Sequence, residues 1–259
     1  MTQDPVLFAQ ARLALSCLDL TSLNDNDTEA DVQKLCERAQ GPFGPVAAVC
    51  VWPRLAGVAR RQLPAHIAVA AVANVPAGSA DIAQAVRDTH AIVHSGAQEV
   101  DLVLPYARLI AGDERAVTQL LQAVRRACLG HTLKVILETG ALKTEALITR
   151  AAQLSLIEGA DFLKTSTGKT VISATASAAR TMLQAIASHP VAATRAGFKA
   201  SGGIRTVREA AAYFELVTAI LGPQALTPTR LRIGASSLLN DIEAVLGGSS
   251  AVRLAATRY

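Results

Sequence analysis

Aromatic side chains are scarce in this chain, at 3% of residues with a single tryptophan, so its core cannot rest on large rings. Just over half of the residues are apolar, and the core must come from aliphatic contacts between closely approaching helices and strands. Cysteines are few: Cys17, Cys36, Cys50 and Cys128 lie far apart, with neither CxxC pairs nor a disulfide-framework spacing. They read as reduced core thiols of a cytoplasmic protein. No apolar run approaches the ~20 residues of a membrane span, and MTQDPVLFAQARLALS lacks the basic start and unbroken apolar block of a signal peptide. Basic runs interleaved with aromatics are missing too, so the net charge of +4 does not point to nucleic acid. A mild positive balance suits a focused pocket for a small anion such as a sugar phosphate.

What the chain has in abundance is alternation. Eight short strand-like runs, at residues 15–20, 46–52, 67–75, 99–105, 133–139, 161–166, 196–201 and 231–236, are separated by segments of helical period. Helices are expected over 81–95, 143–158 and 173–188, each ended by glycine or proline. Strand, helix and strand in regular succession imply parallel pairing through right-handed crossovers. Nearly continuous apolar strands imply cover on both faces. Eight such units in 259 residues favour a single α/β domain, a closed (β/α)8 barrel over residues 1–259 preceded by a short N-terminal helix. The tail from 247 to 259 has no periodic partner and reads as flexible. It ends in Tyr259, a phenol that such a tail could carry over the pocket to help a proton transfer.

Three otherwise apolar runs carry a charge: Asp101 in EVDLVLP, Lys164 in DFLKTS and Lys199 in AGFKAS. Buried charge needs a partner or a use. A structural ion-pair network is one reading, but two lysines against one carboxylate leave a positive excess at the barrel mouth. On adjacent strands ~4.8 Å apart, Lys164 and Lys199 would hold their ammonium groups roughly 6 Å apart. At an effective dielectric near 20 they would repel by about 2.8 kcal/mol, which lowers one lysine by about two pH units, and burial lowers it further. The product is a neutral amine in a pocket, the nucleophile for Schiff-base formation with a carbonyl.

The loops after the last three strands supply an anion cradle: Gly168 and Lys169, then Gly202 and Gly203, then Ser236 and Ser237 at a helix start. Turn and N-cap chemistry would explain each pair alone, but not their coincidence at three neighbouring loops. TGKT is no nucleotide loop, because Leu163 stands where that motif needs glycine. His90 and His94 share a helix face, yet Ala91 replaces the glutamate of a metalloprotease helix. Cys50 reads as core. A lysine that holds pyridoxal phosphate, or a sugar-phosphate binder or isomerase without covalent chemistry, would use the same cradle.

The stretches DLTSLNDNDT, VCVWP, EVDLVLPY, KVILETG, DFLKTSTGKT, GFKASGGIRT and IGASSLL occur in order along essentially the whole chain. Together they resemble the deoxyribose-phosphate aldolases, class I enzymes that need neither metal nor cofactor. That resemblance implies a soluble cytoplasmic lyase of deoxyribose phosphate catabolism, acting on a sugar phosphate and acetaldehyde, with no nucleic-acid or membrane partner and a homo-oligomer left open. It implies Lys164 as the Schiff-base lysine, Asp101 and Lys199 as proton donor and acceptor, and Gly168, Lys169, Gly202, Gly203, Ser236 and Ser237 as the phosphate site. Asp19 is expected either to partner Lys199 from behind or to be an ordinary turn aspartate. The sequence departs from the family pattern where Ala200 and Ser201 replace the usual proline and alanine.

Overall fold

The computed structural model describes residues 4–248. Eight parallel strands close into a barrel in simple sequential order: β1 Leu18–Thr21, β2 Ala48–Val51, β3 Ala68–Ala73, β4 Glu99–Val103, β5 Thr132–Ile136, β6 Phe162–Lys164, β7 Gly197–Ser201 and β8 Leu231–Ala235. The helices are α1 Pro5–Ser16, α2 Glu29–Arg38, α3 Pro53–Gln62, α4 Ile82–His94, α5 Tyr106–Ile110, α6 Glu114–Ala127, α7 Thr139–Leu142, α8 Glu145–Ile157, α9 Ala176–Ser188, α10 Val207–Leu221 and α11 Leu238–Leu246. Among the described residues no helix is long and apolar enough to cross a membrane. Tyr259 and the tail from 249 onward lie outside the described residues.

Helix starts are set by short polar caps. Asp4 accepts from the amides of Val6 and Leu7 ahead of Pro5, and Thr28 with Asp31 and Thr206 with Glu209 form reciprocal capping boxes. Each barrel strand is buried on both sides, which accounts for the lack of polar alternation in its sequence. Outward Val, Leu, Ile and Ala side chains join the helices in one continuous aliphatic core. A small separate cluster, Cys50, Ala70 and Val72, sits under Leu23, Trp52 and Val75.

Several boundaries move from where periodicity puts them. Leu15 and Ser16 finish α1, whose end is capped by Cys17, and the first strand starts only at Leu18; an alanine- and leucine-rich run is as good a helix as a strand. The expected helix from residue 143 starts at Glu145, because Thr144 is its N-cap and Lys143 has φ 62°. Ser173 and Ala174 precede α9, capped by Thr175. Regular β6 pairing stops at Lys164, but Thr165 and Ser166 stay tied to Ser201 by side-chain hydrogen bonds of 3.2 and 2.6 Å to its carbonyl. Ser201, the departure from the family pattern, returns a hydroxyl bond of 3.0 Å to the Ser166 carbonyl. An alanine could not make that bond.

Strand register places the charges. Asp101 pairs across with Lys134 on β5 and Val72 on β3, Lys164 with Lys199, and Lys199 with Arg232. Residues opposite one another share a face, so these side chains enter the barrel together.

Candidate active site

Asp101 is the centre of the arrangement. Its Oδ2 accepts from Lys164 Nζ and from Lys199 Nζ, both at 2.8 Å, and its Oδ1 accepts from Lys134 Nζ at 2.9 Å. Two nitrogens on one oxygen are held less than about 6 Å apart, the closeness that the strand pairing implies. Asp19 belongs to the same cluster: its Oδ2 lies 2.5 Å from Lys199 and 3.3 Å from Lys134, and its Oδ1 accepts from Arg232 at 2.6 Å. It is therefore a partner of Lys199 and not a turn residue.

Glu99, Lys134 and Arg232 also belong here, and the three-strand count of charges does not include them. Lys134 reaches Glu99 at 2.5 Å, and Arg232 reaches it at 2.8 Å. The interior thus holds four cations and three carboxylates, contributed by β1, β4, β5, β6, β7 and β8. All are buried. The excess of positive charge expected from two lysines and one aspartate persists, but through a larger set of residues.

Electrostatics separates the three lysines. Burial lowers Lys164 below the ordinary lysine range, and repulsion from Lys199 adds to this, while Asp101 opposes both. Desolvation is thus the larger cause and like charge the smaller, and both act in the direction expected from the sequence. Burial pulls on Lys199 as well, but Asp101 and Asp19 raise it above the ordinary range. Asp101 lies well below the usual carboxylate range: its burial works against ionisation, and Lys134, Lys164 and Lys199 more than offset it. Only Lys164 among the three keeps any side-chain exposure, at 2%. The site therefore offers one amine with a lowered proton affinity, beside a lysine that stays charged.

Cys50 lies 4.0 Å from Asp101 Oδ2, and burial pushes its thiol up. It sits in the wall of the site as a protonated thiol. Glycine at 234 makes the room that Lys199 occupies: a Cβ there would come within 2.9 Å of Lys199 Cε and 3.0 Å of Ser201 Oγ.

Next to this cluster is a polar cavity of about 390 Å³. Gly168, Lys169, Gly202, Gly203, Ser236 and Ser237 all line it, so the three loops meet as the strand count requires. Arg205, a further cation on its rim, carries no signal in the sequence beyond its place after the glycine pair. Ser237 stands at the N-cap of α11 without closing it with its side chain, which leaves the helix amides open to the cavity. Gly202 has φ 90°, and a Cβ there would run into Ser173 at 2.6 Å, so glycine is required for the turn itself. Lys169 Nζ is 3.5 Å from Asp25 Oδ1 and 5.8 Å from the centre of the Trp52 ring.

Away from this mouth, His90 and His94 stack at 6.0 Å on the exposed face of α4, and the His94 Nδ1 is satisfied at 2.7 Å from the His90 carbonyl. Among the described residues no third His, Cys, Asp or Glu joins them in a group that could hold a metal ion.

Comparison with known proteins gives concordant results. The model of the DeoC/LacD family aldolases matches residues 13–244. A curated deoxyribose-phosphate aldolase of Agrobacterium fabrum (strain C58 / ATCC 33970) is 46% identical over 248 residues, 95% of each chain. Among solved structures, a candidate deoxyribose-phosphate aldolase of Toxoplasma gondii ME49 superposes with a TM-score of 0.86 at 23% identity, covering 96% of this chain and 98% of that one. The deoxyribose phosphate aldolase of Aeropyrum pernix, described as a tetramer, gives 0.69 at 23% identity over 94% and 98%. At that identity the two structures speak for the barrel fold.

Proposed function

The chain belongs to the DeoC/LacD family of aldolases, and on that premise we propose that it is the lyase that reversibly cleaves 2-deoxy-D-ribose 5-phosphate to D-glyceraldehyde 3-phosphate and acetaldehyde, with Lys164 as the Schiff-base nucleophile. The observation that carries the assignment of roles is the one lysine of the cluster with a lowered proton affinity, bonded to a shared carboxylate and set beside an anion cradle.

The chemistry uses each group once. The free amine of Lys164 attacks the C1 carbonyl of the open-chain sugar, and the carbinolamine loses water to give an iminium. Asp101 and Lys199, which meet at one oxygen, pass the protons this needs. Removal of the proton from the C3 hydroxyl breaks the C2–C3 bond. Its electron pair moves into the iminium, so glyceraldehyde 3-phosphate departs and an enamine stays on Lys164. Protonation at C2 and attack of water then release acetaldehyde and restore the amine. The water lost on the way in is the water used on the way out.

Gly168, Lys169, Gly202, Gly203, Ser236 and Ser237 hold the 5-phosphate through backbone amides, two hydroxyls and one ammonium. Replacing Lys169 with methionine is expected to raise KM for 2-deoxyribose 5-phosphate by about 10- to 100-fold and to leave unphosphorylated 2-deoxyribose almost unaffected. Steady-state kinetics on the two sugars checks this, and equal losses would assign Lys169 to holding the loop instead. The crowding at Gly234 makes a second case. Gly234→Ala pushes on Lys199 and should lower kcat by about tenfold or more, with a stability loss of about 1–3 kcal/mol. Kinetics and thermal unfolding read the two effects separately.

The test of the whole reading is an assay of 2-deoxyribose 5-phosphate cleavage with a chelator present, paired with borohydride reduction in the presence of acetaldehyde. Turnover with chelator and a mass gain on the Lys164 peptide are expected. No gain on that peptide defeats the Schiff-base role.

A further inference from the structure

Six lysines are present in the whole chain, and three of them, Lys134, Lys164 and Lys199, point into one barrel. The proposed reaction uses Lys164 and Lys199. Lys134, Glu99 and Arg232 are buried, charged and without a part in it, on a fold whose other buried groups are apolar or neutral at most positions. Burying such groups is costly unless their charge does something.

Their contacts form a ranked set. Lys134 Nζ touches three carboxylates, Glu99 at 2.5 Å, Asp101 at 2.9 Å and Asp19 at 3.3 Å. Arg232 spans two, reaching Asp19 at 2.6 Å and Glu99 at 2.8 and 3.2 Å, and is braced over the Phe162 ring at 5.7 Å. Lys199 also touches two, Asp19 at 2.5 Å and Asp101 at 2.8 Å. Among the carboxylates of the described residues, Lys164 touches Asp101 alone.

We propose that Lys134 and Arg232 are positioning residues that act by charge count: together with Lys199 they match the three carboxylates one for one, which makes Lys164 the surplus cation and leaves it as a free amine. The inference rests on the Schiff-base reading for its use, though not for its physics. With Lys164 uncharged, Lys134, Lys199 and Arg232 balance Asp19, Glu99 and Asp101, and the barrel interior is neutral. With Lys164 charged, one cation has no counter-ion of its own in a buried interior. The proton leaves the lysine with the fewest carboxylate contacts.

Every charged group that faces Lys164 enters the count: Asp101 and Glu99 on β4, Lys134 on β5, Lys199 on β7, Asp19 on β1 and Arg232 on β8. Cys50 on β2 also faces it but is held protonated by burial. The directions agree with the ranking. Burial acts against all four cations, yet their carboxylates carry Lys134, Lys199 and Arg232 above their ordinary ranges, and Lys164 alone is lowered. Lys134 also occupies Asp101 Oδ1, which reserves Oδ2 for the two lysines that handle protons.

The count predicts shifts of opposite sign from neighbouring substitutions. Lys134→Met removes a cation, so three carboxylates face three cations and Lys164 regains a reason to keep its proton. Its titration should move up by about one to two pH units. Glu99→Gln removes an anion and should move it down. The double variant Lys134→Met with Glu99→Gln restores the balance and should return the midpoint close to the parent value.

Lysine labelled with 13C at Cε gives six signals, and loss of one in a Lys164→Met sample assigns Lys164. Titration of that signal reads charge whether or not an imine ever forms, and borohydride trapping with acetaldehyde across pH reads the consequence. Opposite shifts for the single variants, cancelled in the double, support the proposal. Unshifted midpoints with uniformly slower trapping would overturn it and leave Lys134 a structural residue. Should Lys134→Met not fold, Glu99→Gln decides alone, and an unmoved or raised Lys164 midpoint defeats the count. A normal NMR pattern without trapping on Lys164 would instead defeat the Schiff-base reading and leave the charge count standing.

Discussion

Replacing Lys164 with methionine should abolish the borohydride-dependent mass gain with acetaldehyde and lower kcat/KM for 2-deoxyribose 5-phosphate by at least about 10⁴-fold. Neither of the other two lysines of the cluster can take over. Lys199 lies in the same pair but is fully buried, carries two carboxylate contacts and is raised above the lysine range, so it stays an ammonium. Lys134 is buried more deeply in carboxylates still. The same substitution should leave stability nearly untouched, which is unusual for a buried charged residue. A lysine whose folded value is lowered binds its proton more weakly than the unfolded chain does, so it penalises the fold at pH values below its unfolded pKa near 10.4, and the penalty fades as pH rises to that value. Methionine of similar length removes that penalty and loses one hydrogen bond to Asp101. Thermal unfolding at neutral pH should therefore lie within about 3 °C of the parent. A large fall in Tm would mean that Lys164 holds the cluster together as a cation, and residual trapping would mean that another lysine is the nucleophile.

The fold was legible because its signals are redundant. Eight apolar runs at even spacing, caps such as Thr28 and Thr206, and glycines after helices all agree, so an error at one end of an element does not change the architecture. The errors came where one local pattern suits two structures. Leu15 and Ser16 fit a strand by composition and a helix by packing, and the packing of α1 on α10 and α11 decided for the helix.

The site was legible to a different depth. Asp101, Lys164 and Lys199 stand out because each interrupts an apolar strand, and the register puts them in contact. Glu99, Lys134 and Arg232 interrupt their strands in the same way, in EVDLV, TLKVI and LRIGA. Glu99 and Arg232, near the beginnings of their strands, resemble the polar edges that strands often have, Lys134 sits mid-strand opposite Asp101, and only closure of the barrel brings all three into one cluster. Asp19 was ambiguous for the converse reason, since an aspartate before a turn is common. Its contacts with Lys199 and Arg232 arise from residues roughly 180 and 210 positions away and cannot be read locally. The meeting of the three glycine- and serine-bearing loops was the easiest part, because a barrel fixes where the loops after β6, β7 and β8 converge.

The sharpest separation of chemistry from stability is expected at Asp101. Asparagine there keeps the shape, removes the charge that three lysines share, and leaves those lysines facing one another in a buried interior. Removing one partner of a buried ionic cluster costs about 3–5 kcal/mol, which for a chain of this size lowers Tm by about 10 °C. The loss should depend on pH in a definite way. Asp101 is held well below the usual range, so its stabilisation is present above the unfolded carboxylate value near 3.9 and is lost as pH falls toward its folded value. The gap between parent and variant should thus narrow in acid. It should narrow again in alkali, because the raised Lys199 contributes stability that is complete below about pH 10.4 and is lost as pH rises through its folded value. A gap that is the same at all pH values would mean that Asp101 acts through shape and hydrogen bonding alone. Turnover should fall by about 10²- to 10⁴-fold if, as proposed, the oxygen shared by Lys164 and Lys199 carries the protons, because an amide oxygen lacks that basicity. Trapping should behave differently. Asp101 raises Lys164, so removing its charge lowers that lysine further and lets imine form at more acidic pH. An Asp101→Asn protein that traps acetaldehyde over a wider pH range while cleaving sugar phosphate far more slowly would place the aspartate in proton transfer and the lysine in bond formation. Parallel loss of both would assign Asp101 to holding Lys164 in place.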